Sequence, residues 1–253
     1  MTDLHIRHFP GDSERPAIAL HCMMGSGAYW APIVRRLDKS LDLLAPDMPS
    51  HGNSPAWKPN GLDLHTDFTR KVAALINRPV DLIGHSFGAT VALRIAVGAP
   101  HAIRSLTLIE PVLFAAAPDP EQEQLFTTME AALAEGAPER ATAEFLAIWG
   151  LRDRQGRLPP PAQSFIRQIG LVATTNGALA HDHANILRAD GLEGIDAPVL
   201  IVMGGESPAV IAKIADALAS RMQDVGRATI PGAAPMLPVT HPAELSELIA
   251  LNL

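Results

Sequence analysis

The stretch that most constrains the fold covers residues 80–98, Val-Asp-Leu-Ile-Gly-His-Ser-Phe-Gly-Ala-Thr-Val-Ala-Leu-Arg-Ile-Ala-Val-Gly. Val80, Leu82 and Ile83 form a short apolar run of the kind that makes a buried strand, punctuated at its start by Arg78 and Pro79. From Ala89 the apolar residues recur at helical spacing. Between the two lies Gly84-His85-Ser86-Phe87-Gly88, so strand must turn sharply into helix. The serine of such a Gly-x-Ser-x-Gly turn occupies a strained backbone position, tolerated only where neighbouring side chains stay out of the way. Gly84 and Gly88 clear that space. The strain lifts the Ser86 hydroxyl out of the sheet, and the N-terminus of the next helix places partial positive charge beside it. Ser86 is therefore the first candidate functional residue, in the setting of a nucleophile.

The rest of the chain repeats this alternation. Residues 4–9 read as an edge strand and Pro16–Leu20 as a short buried one, followed by a loop from His21 to Gly27 and a helix over 28–39. A strand at 41–45 ends in a turn-rich loop, and a helix over 63–76 precedes Val80. Beyond the elbow come a strand at Ile103–Ile109, a strand at 198–203, a helix at 208–222, a strand at 226–230 and a last helix at 242–253. Strands alternating with helices predict right-handed crossovers and an α/β fold with a mostly parallel central sheet covered on both faces. The middle of the chain breaks this rhythm, with proline-rich interruptions at 118–120 and 159–161 and no strand of the buried kind. The expected division is a core of residues 1–111 and 196–253 with a helical cap insertion at 112–195.

Composition narrows the function. The 253 residues suffice for one large α/β domain, and no apolar run approaches the roughly 18 residues of a membrane span. The first residues lack a basic stretch followed by an apolar one, so the cytoplasm is the expected compartment and no membrane partner is expected. A net charge of −7, with acids and bases mixed and no basic cluster, argues against nucleic acid. Cys22 is the single cysteine, which excludes an intrachain disulfide and fits a reducing compartment. Neither a Gly-x-Gly-x-x-Gly fingerprint nor a phosphate loop is present, so no cofactor is expected. A small molecule, substrate or ligand, is the expected partner.

Four marks together resemble the α/β-hydrolase fold over essentially the whole chain. They are His21 ending a strand with Gly25-Ser26 following, Asp47-Met48-Pro49-Ser50-His51-Gly52-Asn53-Ser54, the elbow at Ser86, and Pro231-Gly232-Ala233 before the last helix. The resemblance implies that serine attacks a carbonyl, a histidine takes its proton, an acid holds the histidine and two backbone N–H groups stabilise the oxyanion. It places those donors at Phe87 and Met23, with Cys22 where the family usually has glycine. It implies that the insertion is a cap shaping the pocket, for which Phe114, Phe126, Met129, Phe145, Trp149 and Phe165 are candidate walls or core.

Two elements depart from the family pattern. The position where the acid often stands, three residues after Gly204, is Ser207, with Glu206 one residue off. Some branches carry the acid at the end of the preceding strand, where this chain has Ile109-Glu110-Pro111, so Glu110 is the expected acid. The histidine's usual position is Pro235, which has no proton to exchange. In a serine protease, loss of the histidine lowers turnover roughly a millionfold, about 8 kcal/mol of barrier. His181, His183 and His241 are alternative bases, His181-Asp182-His183 is a weak metal signal, and His85 is expected to point away from the site. His21 and His51 read as loop braces, and Cys22 as a small buried hydrophobe. The sequence thus supports a serine hydrolase of a small ester, thioester or amide with an unidentified base. The alternative is a hydrolase-fold protein that binds a ligand without turnover, and behind it a non-hydrolytic enzyme such as a lyase.

Overall fold

The computed structural model describes residues 3–153 and 155–253. Its elements in chain order are β1 (Ile6–Phe9), β2 (Pro16–Leu20), α1 (Ala31–Val34), β3 (Asp42–Pro46), α2 (Leu64–Ala73), β4 (Val80–His85), α3 (Phe87–Gly98) and β5 (Ile103–Ile109). There follow α4 (Pro120–Ala134), α5 (Pro138–Trp149), α6 (Gln163–Ala180), β6 (Val199–Gly204), α7 (Ala209–Ala219), β7 (Val225–Ile230), α8 (Leu237–Thr240) and α9 (Pro242–Leu251). The seven strands form one sheet in the order β1-β3-β2-β4-β5-β6-β7, parallel except for β1, which runs antiparallel to β3. This is the α/β architecture expected from the alternating pattern.

Side-chain alternation along β2 divides the interior between the two faces of the sheet. Ile18 and Leu20 join the cluster formed with α2, α3, α7 and the helices of the middle segment, whereas Ala17 and Ala19 join the cluster formed with α1 and α9. β4 lies at the centre and all its residues are buried, as a doubly covered parallel strand requires. Its one charged residue, Asp81, is matched: Arg15 Nε donates at 3.1 Å, an Arg104 guanidinium nitrogen at 3.2 Å and the Ser105 hydroxyl at 2.8 Å. An unpaired carboxylate there would cost several kcal/mol. Pinned at this end, β4 delivers Ser86 at the other.

Two elements differ from expectation. The helix expected over 28–39 is a 3₁₀ turn at Gly27–Trp30 followed only by the short α1. Asp38 and Lys39 take φ of 45° and 59°, outside the right-handed helix, and the chain turns there into β3. The short α8 had no counterpart in the sequence reading. Between β5 and β6 the described residues form α4, α5, α6 and a 3₁₀ turn at Phe114–Ala116, with no strand. No helix among the described residues is long and apolar enough to cross a membrane.

Candidate active site

Ser86 sits between β4 and α3 with φ 55° and ψ −117°, a conformation an L-residue adopts only under constraint from its surroundings. Both glycines of the motif answer to close packing. A Cβ on Gly84 would lie 2.4 Å from the Gly88 carbonyl oxygen, and one on Gly88 would lie 2.4 Å from the Leu20 carbonyl oxygen. The Ser86 N–H donates to the Ile109 carbonyl at 2.8 Å, which extends the β4–β5 ladder by one step beyond the His85–Ile109 pair. Ser86 and Glu110 therefore leave neighbouring strands side by side. The N–H groups of Met23 and Phe87 find no acceptor among the described residues, and both residues line the cavity that contains Ser86.

The loop carrying Met23 is held by histidines that are structural. His21 Nε2 accepts from the Met48 N–H at 2.9 Å, so the proton is on Nδ1, which donates to the Cys22 carbonyl at 2.7 Å. Burial, and then the neighbouring His51, lower its pKa to about 3. His51 donates from Nδ1 to the Pro49 carbonyl, as a turn brace should. The loop beside it is ordered by Asp47, whose carboxylate accepts from the Gly27 N–H at 2.6 Å and the Asn53 N–H at 2.9 Å. Cys22 is a buried thiol whose pKa burial pushes up to about 12, so it is inert as a nucleophile.

His85 does line the cavity, contrary to expectation, yet both its nitrogens are engaged. The Cys22 N–H donates to the Tyr29 hydroxyl at 3.0 Å, that hydroxyl donates to His85 Nδ1 at 3.0 Å, and His85 Nε2 donates to the Pro235 carbonyl at 2.9 Å. This chain of bonds ties the Met23 loop to the loop bearing Pro235. Burial lowers the His85 pKa to about 4, which keeps the ring neutral. The other candidate bases lie elsewhere. His181 and His183 are exposed, and each carboxylate oxygen of Asp182 between them accepts one backbone bond, from the Ile186 and Leu187 N–H groups. His241 bonds to the neighbouring Thr240 hydroxyl and is absent from the cavity wall. Pro235 is buried in that wall.

Glu110 is 1% exposed and has φ 50°. Its Oε1 accepts from the Gly204 N–H at 2.5 Å and from the Ser207 hydroxyl at 2.8 Å. The expected acid, Glu110, and Ser207 are thus in contact, one supplying the carboxylate and the other a hydroxyl that orients it. Glu206 is exposed and is not part of the cavity wall. Burial raises the Glu110 pKa to about 7 against the opposing pull of its two hydrogen bonds. Its Oε2 is buried and has no hydrogen-bond partner.

The cavity around these groups measures ≈ 70 Å³. A buried water needs roughly 10–15 Å³ by this measure, so the space holds a few waters or a small organic group. Phe114, Phe126, Phe145 and Trp149 wall it, together with Val112, Val172, Leu179 and Met236. Met129 is buried in the core instead, and Phe165 lines an adjoining apolar pocket of ≈ 370 Å³ that shares Cys22, Met23, Phe145, Trp149 and Met236. None of the lining residues is lysine or arginine. Among the described residues, seven buried side-chain polar atoms lack a partner, and three of them belong to this wall: Glu110 Oε2, Gln122 Nε2 and Trp149 Nε1. Gln122 belongs to none of the sequence motifs. Its signal was a polar residue on the apolar stripe of α4, in series with Leu125, Phe126 and Met129.

A model of the alpha/beta hydrolase family matches residues 17–248. Lipase LipV of Mycobacterium tuberculosis is 29% identical over 115 residues, which is 44% of this chain and 42% of that protein, so the chain spans less than half the length of that relative. The (E)-2-((N-methylformamido)methylene)succinate hydrolase of Acinetobacter baylyi is 21% identical over 243 residues, covering 95% of this chain and 90% of the relative. Among solved structures, MGS-M2, an alpha/beta hydrolase enzyme from a Medee basin deep-sea metagenome library, superposes with a TM-score of 0.76 at 16% identity, covering 97% of this chain and 91% of its own.

Proposed function

Because the chain belongs to the alpha/beta hydrolase family, whose curated relatives above are hydrolases, we propose that it cleaves a small ester, thioester or amide through Ser86. The observation that carries this reading is the strained Ser86 turn opening into the cavity beside the unpaired N–H groups of Met23 and Phe87. The Ser86 oxygen attacks the substrate carbonyl, and those two N–H groups receive the oxyanion. One such donor is worth ~10²–10³ in turnover. Glu110 is the carboxylate partner, held in place by Gly204 and Ser207.

The segment at 112–195 acts as the cap in this reading, because α4, α5 and α6 contribute Gln122, Trp149 and Thr175 to the cavity wall. A chamber of this size without a lysine or arginine suits a short, uncharged acyl group, since a buried carboxylate would lack a cation. Gln122 Nε2 and Trp149 Nε1, both unpaired donors, suit an acceptor oxygen on that group. The lone buried Cys22 supports the cytoplasm as the setting.

The test is covalent labelling of Ser86 by a fluorophosphonate together with hydrolysis of a short-chain p-nitrophenyl ester. The expected result is labelling and turnover in the unaltered protein and neither in Ser86→Ala. A second reading, a ligand-binding protein without turnover, is favoured by one observation, the proline at position 235. It requires that the unaltered protein neither label nor turn over while a small carbonyl compound raises its Tm.

A further inference from the structure

If Ser86 is a nucleophile, its proton must leave, and no histidine among the described residues is placed to take it. His85 is the only one in the cavity wall, and its Nδ1 and Nε2 are both committed to Tyr29 and Pro235. The carboxyl of Glu110 is different. The β4–β5 register places it on the strand position next to Ser86, and both residues line the same cavity. Its Oε1 is fixed by the Gly204 N–H and the Ser207 hydroxyl, so the carboxyl cannot rotate freely, and its Oε2 is buried without a partner. Ser86 and Glu110 make no direct hydrogen bond, and the cavity that both line, ≈ 70 Å³, is large enough for a few waters.

From this arrangement we propose that Glu110 itself is the general base, accepting the Ser86 proton through one water that bridges the Ser86 hydroxyl and Glu110 Oε2. The inference rests on the serine-hydrolase reading above and names the base it leaves open. Proton transfer through a single water is within the reach of a general base. Burial supports the assignment, because a carboxyl with a pKa of about 7 is a far better proton acceptor than an ordinary one, and half of it is still ionised at neutral pH. The titratable groups that face it do not compete: His85 is held neutral, Cys22 holds its proton, and α7, β6 and the helices of the middle segment present no charged side chain to the cavity.

The steps balance. As the Ser86 oxygen bonds to the carbonyl carbon, its proton passes to the water and a proton of that water passes to Glu110 Oε2, while the carbonyl electron pair moves onto the oxyanion. Collapse of the oxyanion breaks the bond to the leaving group, which takes the proton back from Glu110 through the same water. A second water then adds to the acyl-serine by the same relay and releases the acid, Ser86 and the Glu110 carboxylate.

The experiment is the rate of fluorophosphonate labelling of Ser86 from pH 5 to pH 9, followed by mass spectrometry of the intact protein. In the unaltered protein the rate should rise with pH and level off, with the inflection near pH 7. Glu110→Gln keeps an oxygen for Gly204 and Ser207 but cannot accept the proton, so its rate should fall at least a hundredfold and lose the inflection. Ser207→Ala removes a hydrogen bond that favours the ionised carboxyl, so its inflection should move to higher pH. That shift is not expected from a merely structural serine, and it tests the proposal even if Glu110→Gln fails to fold. Labelling of Glu110→Gln at the unaltered rate, or a Ser207→Ala inflection that stays in place, overturns Glu110 as base while leaving Ser86 as nucleophile. No labelling of the unaltered protein at any pH overturns both.

Discussion

Glu110 offers a test of the site that needs no substrate. In the fold its pKa is raised from the ordinary 4.5 to about 7, chiefly by burial, so the native protein holds that proton more tightly than the unfolded chain does. The sign follows from linkage: the group's contribution to stability is full below pH 4.5 and is lost as pH rises through about 7. An interval of two and a half pH units at ~1.4 kcal/mol per unit amounts to about 3 kcal/mol, of which about 2.5 kcal/mol falls between pH 5 and pH 8. Glu110→Gln has no proton to lose and keeps the Oε1 acceptor for Gly204 and Ser207. Any fixed cost of its new amide is the same at every pH. The buried histidines His21, His65 and His85, whose pKa values are lowered to about 3, 4 and 4, lose stability in the opposite direction as pH falls below 6.5, but equally in both proteins. Urea unfolding of the two proteins at pH 5 and pH 8 therefore isolates Glu110. The stability of Glu110→Gln relative to the unaltered protein should improve by about 2.5 kcal/mol between those pH values. A change below about 1 kcal/mol would refute the claim that this carboxyl is desolvated and short of partners.

Pro235→His places an imidazole in the wall of the cavity that Ser86 and Glu110 line and keeps the backbone carbonyl that His85 uses, so p-nitrophenyl ester turnover should rise at least a hundredfold; an unchanged rate would mean that position 235 does not face the reacting atoms. Tyr29→Phe leaves both the Cys22 N–H and His85 Nδ1 without a partner and should cost about 1–3 kcal/mol in urea unfolding, with weaker oxyanion stabilisation seen as a lower kcat at similar KM. Gly88→Ala drives a Cβ against the Leu20 and His21 carbonyl oxygens, at 2.4 and 2.6 Å, and should abolish soluble expression or lower Tm sharply. Gln122→Leu should reduce kcat/KM for a short keto-ester about tenfold or more relative to the plain ester of equal length, and a ratio that does not move would remove Gln122 from substrate recognition.

What could be read from the sequence was whatever the backbone enforces locally. The fully buried β4 follows from an apolar run, and the turn at Ser86 follows from two glycines at positions where a Cβ collides with backbone. The helix over 28–39 failed for a non-local reason: its apolar residues serve a 3₁₀ turn that buries Trp30 beneath the sheet, and the chain must reverse at Asp38 and Lys39 to enter β3. The site was legible only in part because its polar groups are organised across distant segments. Ser207 looked like a vacancy where an acid should stand, whereas it is a donor to the acid 97 residues away. His85 was expected to point away, yet its bonds to Tyr29 and Pro235 span 56 and 150 residues, and no periodicity reports such pairs. Those same bonds bear on the proline. The latch on His85 is the backbone carbonyl of residue 235, which persists whatever side chain stands there. The latch fixes this loop against the cavity wall, in which Glu110 Oε2 is a buried carboxyl oxygen without a hydrogen-bond partner among the described residues.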